Sequence, residues 1–202
     1  ETLGDLKALV DDFFLGGVNR VKFHGAASSP ADVAWPGWMF YASTQFNSRN
    51  PIWRDVPAFT TYITRCQSVL QAGQPDNDVL LYWPIYDFWH NPKGLVQPMT
   101  VHRRDWLEGQ PIGRAARRLW DRGYAFDYVS DRQLALVKTK DRGLETPGGS
   151  YRVILVPACR LMPLKTMQRL LELAEAGATV LFENQLPSDV PGWGNLESRR
   201  GK

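Results

Sequence analysis

The hydrophobic positions of the first fifteen residues fall on one helical stripe. Leu3, Leu6, Leu9, Val10, Phe13 and Phe14 recur at helical spacing, and Gly16–Gly17 supplies the stop. A short extended run follows, Val18 to His24, ending at Gly25. From 26 to 54 the pattern dissolves around Pro30, Pro36, Gly37, Asn47, Asn50 and Pro51. A long loop is expected there, and long loops inside compact domains tend to carry function. Helical spacing resumes with Val56, Phe59, Tyr62, Ile63, Cys66, Val69 and Leu70. Asp55 is placed to cap that helix, Pro57 is tolerated in its first turn, and Gly73 with Pro75 closes it.

Downstream the rhythm changes. The run Val79-Leu80-Leu81-Tyr82-Trp83 is continuously apolar, as a strand buried on both faces requires. An irregular stretch from 84 to 110 follows. The pattern then predicts a helix over Ile112–Arg122, a strand over Ala125–Val129 and a short helical piece near Asp131–Val137. After a turn at Pro147–Ser150 come a strand Tyr151–Val156, a helix Pro163–Ala176 stopped by Gly177, and a strand Ala178–Phe182. Strands alternating with helices at this spacing indicate an α/β fold with a parallel sheet and helical crossovers. The tail after Pro187 is polar and Gly-rich and reads as flexible.

Composition narrows the function classes. A hydrophobic fraction of 44% with mixed charges fits a folded globular protein rather than a disordered one. A net charge of +3, with basic residues scattered among acidic ones, gives no footprint for nucleic acid. Arg114, Arg117, Arg118 and Arg122 share a helical face and read as solvated. No apolar run is long enough for a membrane span. Cys66 and Cys159 each sit in an apolar pattern, as buried thiols rather than a disulfide or metal pair. The chain opens at Glu1 without methionine, so it is expected to be a piece of something longer, and a missing targeting segment carries no weight.

The unusual feature is aromatic: eight Trp, seven Tyr and nine Phe, many between Trp35 and Trp89. Sugar rings present apolar C–H faces ringed by hydroxyls, so a pocket for them wants aromatic faces beside hydrogen-bonding groups. His24, Trp35, Trp38 and Tyr41 are the candidate substrate-binding residues, with Phe40, Gln45 and Asn47 beside them; a loop core is the competing use of the same aromatics. Glycoside hydrolysis also needs two carboxyls facing one bond. None of the acids makes a persuasive pair: Asp11 and Asp12 read as a solvated helix face, Asp32 and Asp55 flank the aromatic loop with Asp55 better explained as a cap, and Asp87 is a free candidate for a polar contact. Cys159 follows a strand as an amidotransferase nucleophile does, but Val156-Pro157-Ala158-Cys159-Arg160 lacks the glycines of a nucleophile elbow. No metal-ligand cluster and no phosphate-cradling loop is present in the sequence.

Several long strings resemble the end of the catalytic domain of glycoside hydrolase family 106. They are Phe13-Phe14-Leu15-Gly16-Gly17-Val18-Asn19-Arg20, Phe23-His24-Gly25, Trp35-Pro36-Gly37-Trp38-Met39-Phe40-Tyr41-Ala42-Ser43, the stretch Arg65 to Gly73, and Asn77 to Asp87. The match is dense to about residue 95 and loose beyond it. The resemblance implies an inverting α-L-rhamnosidase acting on plant or microbial glycans, with two catalytic glutamates and calcium at the sugar hydroxyls. Residues 1–75 then become the last βα unit of a (β/α)8 barrel, with Val18–His24 its eighth strand. Residues 76–186 resemble the flavodoxin-like, class I amidotransferase-like domain that follows the barrel in family 42 β-galactosidases, where it is non-catalytic and serves packing or oligomer contacts. Residues 187–202 remain a flexible tail. The family's acid and base glutamates have no counterpart in this chain, Glu1 being too close to the helix start, and no calcium ligand carries over. The implied fragment is inactive alone; its partners are a rhamnosylated glycan and a second copy through the α/β domain, and its compartment is periplasmic or extracellular. Two other readings stay open: a non-catalytic sugar-binding or oligomerisation module, and an amidotransferase-like enzyme centred on Cys159.

Overall fold

All four side chains of strand β1, Val79–Tyr82, are buried. The structure, a computed structural model, describes residues 2–201 apart from Ser43, Leu95, Gln97 and Arg142. Glu1, beside the start of the first helix, and Ser43, within the aromatic string, therefore lie outside the described residues. The chain divides into two units, residues 1–74 and 75–202.

In the second unit β1 lies inside a four-stranded sheet of order β2-β1-β6-β7, with every neighbouring pair parallel. Its partners are β2 (Phe126–Val129) and β6 (Val153–Val156), and β7 (Thr179–Phe182) lies beyond β6. Because side chains alternate across a strand, β1 feeds two cores. Leu80 and Tyr82 join Val129, Ile154, Val156 and two residues of helix α7 (Leu164–Glu175), Leu170 and Leu173. Leu81 faces the other way, against Ile112, Ala115 and Ala116 of helix α5 (Pro111–Asp121). Small residues let α5 sit close, and a Cβ added at Gly113 would collide with the Leu107 carbonyl at the end of α4 (Asp105–Glu108).

One polar knot is built into the first of these cores. The Tyr82 hydroxyl donates to Asp131 Oδ1 at 2.8 Å, and the Thr166 hydroxyl donates to the same oxygen at 2.5 Å. It ties β1 to α6 (Asp131–Leu134) and to α7. Burial, reinforced by the Asp131 charge, pushes the Tyr82 phenol well above its ordinary value, so it stays protonated and able to donate to Asp131.

The observed elements depart from the periodicity in several places. The predicted strand Tyr151–Val156 is two strands: β5 (Gly149–Tyr151) closes an antiparallel ribbon with β3 (Lys138–Lys140) and β4 (Gly143–Thr146), and only β6 enters the parallel sheet. The stretch from 84 to 110 contains α3 (Ile85–His90) as well as α4. The tail is not a free end. Helix α8 (Leu196–Arg200) folds back, and the Arg200 guanidinium grips both oxygens of Asp189 at 2.8 Å. That grip, with the Val190 N–H, holds the Asp189 carboxyl far below the usual carboxylate range.

The first unit is a helix pair. α1 (Leu3–Leu15) starts in a capping box, Thr2 and Asp5 each accepting the other's backbone N–H. Leu6 and Val10 pack on Phe59 and Ile63 of α2 (Val56–Ala72). Asp11, expected to be solvated, accepts from the Tyr62 hydroxyl at 2.5 Å and pairs with Lys7 at 2.6 Å, so it joins the helices. Asp55 makes no capping bond: a 3-10 turn over Pro51–Asp55 runs directly into α2, Asp55 itself takes helical dihedrals, and Pro57 at the second helical position has no N–H to give.

The expected strand Val18–His24 has no strand partner, and among the described residues the first unit contains no strand at all. Little of a strand's burial alternation survives: Val21 packs with the α1–α2 core, while Phe23, though its ring meets Phe46 and Phe59, is exposed, as are Lys22 and His24. Two glutamines stand in for a ladder. Gln67 Oε1 accepts from the Val21 N–H at 2.5 Å, and Gln71 Nε2 donates to the Asn19 carbonyl at 2.6 Å.

Ile154, fully buried where the sheet meets α7, sets a stability test. Ile154→Ala should cost about 2–5 kcal/mol in urea denaturation. Leu181→Ala, on the exposed side of the edge strand β7, should stay within about 0.5 kcal/mol.

Candidate functional site

The loop between α1 and α2 has no ladder to satisfy its backbone, so its own side chains do the work. Arg49 is the organiser. Its guanidinium donates to the Val33 carbonyl at 2.6 Å and the Pro30 carbonyl at 2.8 Å, while its own carbonyl accepts from the Trp35 indole at 3.0 Å. Gln45 holds Phe40 by both backbone groups, at 3.1 and 2.9 Å, and Asn50 Nδ2 donates to the Gln45 carbonyl at 2.8 Å. Ser29 Oγ accepts from the Trp38 N–H at 2.7 Å. A Cβ at Gly37 would collide with that Ser29 hydroxyl and press on Arg49, and Gly37 also has positive φ, so the turn admits only glycine. The Trp35–Pro36 peptide is cis.

This scaffold places the four predicted site residues without converging them. His24 meets Phe40 edge-on at 5.1 Å, and Phe40 meets Tyr41 at 4.7 Å, so three rings form a row. Trp35 lines a separate hollow of about 160 Å³ with Met39, Asn47 and Pro51. Trp38 and Tyr41 are 58% and 93% exposed. Sugar-sized sites usually enclose roughly 300–1,000 Å³. The loop is thus an aromatic wall rather than a closed pocket. Gln45 and Asn47, expected to meet hydroxyls, are largely spent on backbone: Asn47 Oδ1 accepts from the Arg49 N–H at 3.0 Å. Sequence pattern does not single out Arg49; an arginine in a loop of prolines, amides and aromatics with few acids nearby is its only signal.

Two of the remaining candidate carboxylates have partners. Asp32 sits in an exposed turn, and Asp55 pairs with Arg54 at 3.4 Å. Asp87, on α3, accepts the backbone N–H groups of Arg160 and Leu161 at 2.6 and 2.7 Å, which fixes the loop leaving β6. Among the described residues no three His, Cys, Asp or Glu side chains gather where a cation could sit.

Cys159 occupies that same β6 exit and is buried. Burial, then the charges of Asp87 and Asp131, pushes its thiol up to about 12. A nucleophilic cysteine needs the opposite surroundings, a cationic or dipolar neighbour that stabilises thiolate.

The profile of glycoside hydrolase family 106, described as alpha-L-rhamnosidase, matches residues 2–198, and the chain belongs to that family. A protein of Formosa agariphila named "Putative beta-glucuronidase" is 29% identical over 179 residues, covering 88% of this chain. The chain spans only 13% of that relative's length. A beta-galactosidase structure from Bifidobacterium adolescentis aligns at 18% identity with a TM-score of 0.37, over 56% of this chain and 44% of that one.

Two tests follow from the site. Arg49→Ala should open residues 30–50 to limited proteolysis while leaving the second unit intact, and Arg49→Lys, lacking the planar fork, should not restore protection. At pH 8 a disulfide reagent should titrate Cys66, which is half-buried, and leave Cys159 unreacted until denaturant is added.

Proposed function

We propose that this chain is part of a larger inverting α-L-rhamnosidase that removes terminal α-L-rhamnosyl residues from plant or microbial glycans. The observation that carries this reading is the family match over nearly the whole chain. On this reading the first unit completes a (β/α)8 barrel, and Val18–His24 gains strand neighbours from elsewhere in the polypeptide. His24, Trp35, Trp38 and Tyr41 then form one wall of the cleft, since ligand-contacting groups of barrels sit at the carboxyl ends of strands and in the loops that follow.

The chain alone is proposed to be inactive. Hydrolysis with inversion needs a general acid and a general base on opposite sides of the scissile bond. Asp11, Asp55 and Asp87 are committed to other partners and Asp32 sits in an exposed turn. Both glutamates, and the residues for any calcium, are therefore assigned to other parts of the larger protein. The second unit serves packing or homo-oligomer contacts, and the whole works in the periplasm or outside the cell.

The test is release of L-rhamnose from an aryl α-L-rhamnoside, with and without calcium, by the 202-residue chain and by the longer protein. Release by the longer protein alone is the expected result. Turnover of an aryl β-glucuronide instead would move the specificity toward the activity named for the Formosa relative. Turnover by the short chain would overturn its proposed inactivity.

A further inference from the structure

The strand order places β1 between β2, the next strand in the chain, and β6, a later one, so the direction of chain progression reverses between β1 and β6. In open parallel sheets ligands bind outside the carboxyl ends of the strands at such a reversal. A cavity of about 480 Å³ lies there in the second unit, lined by residues that follow β1, β6 and β7. Its size falls within the usual range of small-molecule sites. We infer that this edge of the sheet carries a binding site for a neutral pyranose, walled by Tyr86, Trp89 and Trp193.

Three observations carry the inference. The first is the walls. Tyr86 and Trp89 on α3 stand edge to face at 5.8 Å, leaving indole surface toward the cavity, and Trp193 lines it from the loop after β7.

The second is rigidity under an exposed aromatic. Trp193 is 89% exposed, yet its loop is clamped: the Arg199 guanidinium donates to the carbonyls of Pro191, Gly192 and Gly194 at 2.6, 2.6 and 2.8 Å. The loop's root is held as well, because the Ser188 and Asp189 N–H groups both donate to the Arg160 carbonyl at 3.0 Å. An indole shown to water on a preordered backbone loses little entropy when something stacks on it.

The third is charge. Arg200 is neutralised by Asp189 and by Glu197, the latter at 3.0 Å, so the lining carries no excess of one sign. That suits a neutral ligand with many hydroxyls, which His90, Arg160 and Glu197 can meet at the rim. The choice of sugar rests on the glycoside hydrolase reading; the location and the neutral, flat-faced chemistry do not.

The experiment titrates the 202-residue chain with methyl α-L-rhamnopyranoside, a rhamno-disaccharide and inorganic phosphate, following indole N–H resonances. Saturable shifts of Trp89 and Trp193 with the sugars and none with phosphate are expected. Trp193→Ala should weaken sugar binding about tenfold. Its urea midpoint should not move, because the side chain is exposed, and Trp120→Ala, at an exposed tryptophan of α5 that does not line the cavity, should bind as the unsubstituted chain does. Arg199→Ala, which frees the loop but keeps the indole, should give a smaller loss. Absence of sugar binding at millimolar concentration, shifts with phosphate alone, or loss in Trp120→Ala instead of Trp193→Ala would each overturn the site. So would a concentration-dependent dimer abolished by Trp193→Ala, which would make the face a contact between copies. Rhamnose release by the longer protein is scored separately, so failure of this site leaves that reading standing and the reverse holds equally.

Discussion

The second unit depends on one strand having no solvated face. β1 buries all four of its residues, and their alternation sends Leu80 and Tyr82 to the α7 side and Leu81 to the α5 side. A strand so placed must lie inside the sheet, with helices on both faces, and every connection must then cross over. The reversal between β1 and β6 follows from that central position, and with it a crevice at the carboxyl edge. Asp87 links the two strand exits there by accepting two N–H groups from the β6 side. The cavity beside it is built on backbone that has little freedom to rearrange.

Where no ladder exists, single polar side chains take over the backbone. Arg49 gathers two carbonyls of the aromatic loop, Arg199 gathers three of the loop carrying Trp193, and Gln67 and Gln71 line the segment after α1. Guanidinium suits the first two cases, since its planar fork offers several donors in fixed directions. In both loops the result is the same: tryptophans are displayed to solvent from a constrained main chain. Isolated exposed aromatics are ordinary in proteins, but aromatics on clamped loops beside a cavity belong with ligand sites.

Cys159 illustrates how position and chemistry separate. It stands at the end of a parallel strand, where nucleophiles occur in related architectures, but its surroundings are apolar and anionic, which favours the protonated thiol. Fold thus offers the location without the activity. In the first unit Trp35, Trp38 and Tyr41 are exposed rings on a clamped loop, a shape that offers stacking surface without by itself assigning a ligand.

Periodicity in the sequence determined most of the elements: the stripes of α1, α2, α5 and α7 and the apolar run of β1 each specify a local shape and a buried face. It also exposed the aromatic loop, because proline, glycine and amides in that density exclude helix and sheet. Tertiary structure decided everything that depends on a partner. Val18–His24 reads as an extended run but has no neighbour to pair with, and Tyr151–Val156 splits because its first half finds β4 and its second half finds β1 and β7. The roles of Arg49, Arg199 and Asp87 are not legible in the sequence for the same reason. They are set by backbone groups 16 to 19, five to eight and 73 to 74 residues away, and no local pattern records which carbonyl or N–H a side chain will reach once the chain has folded.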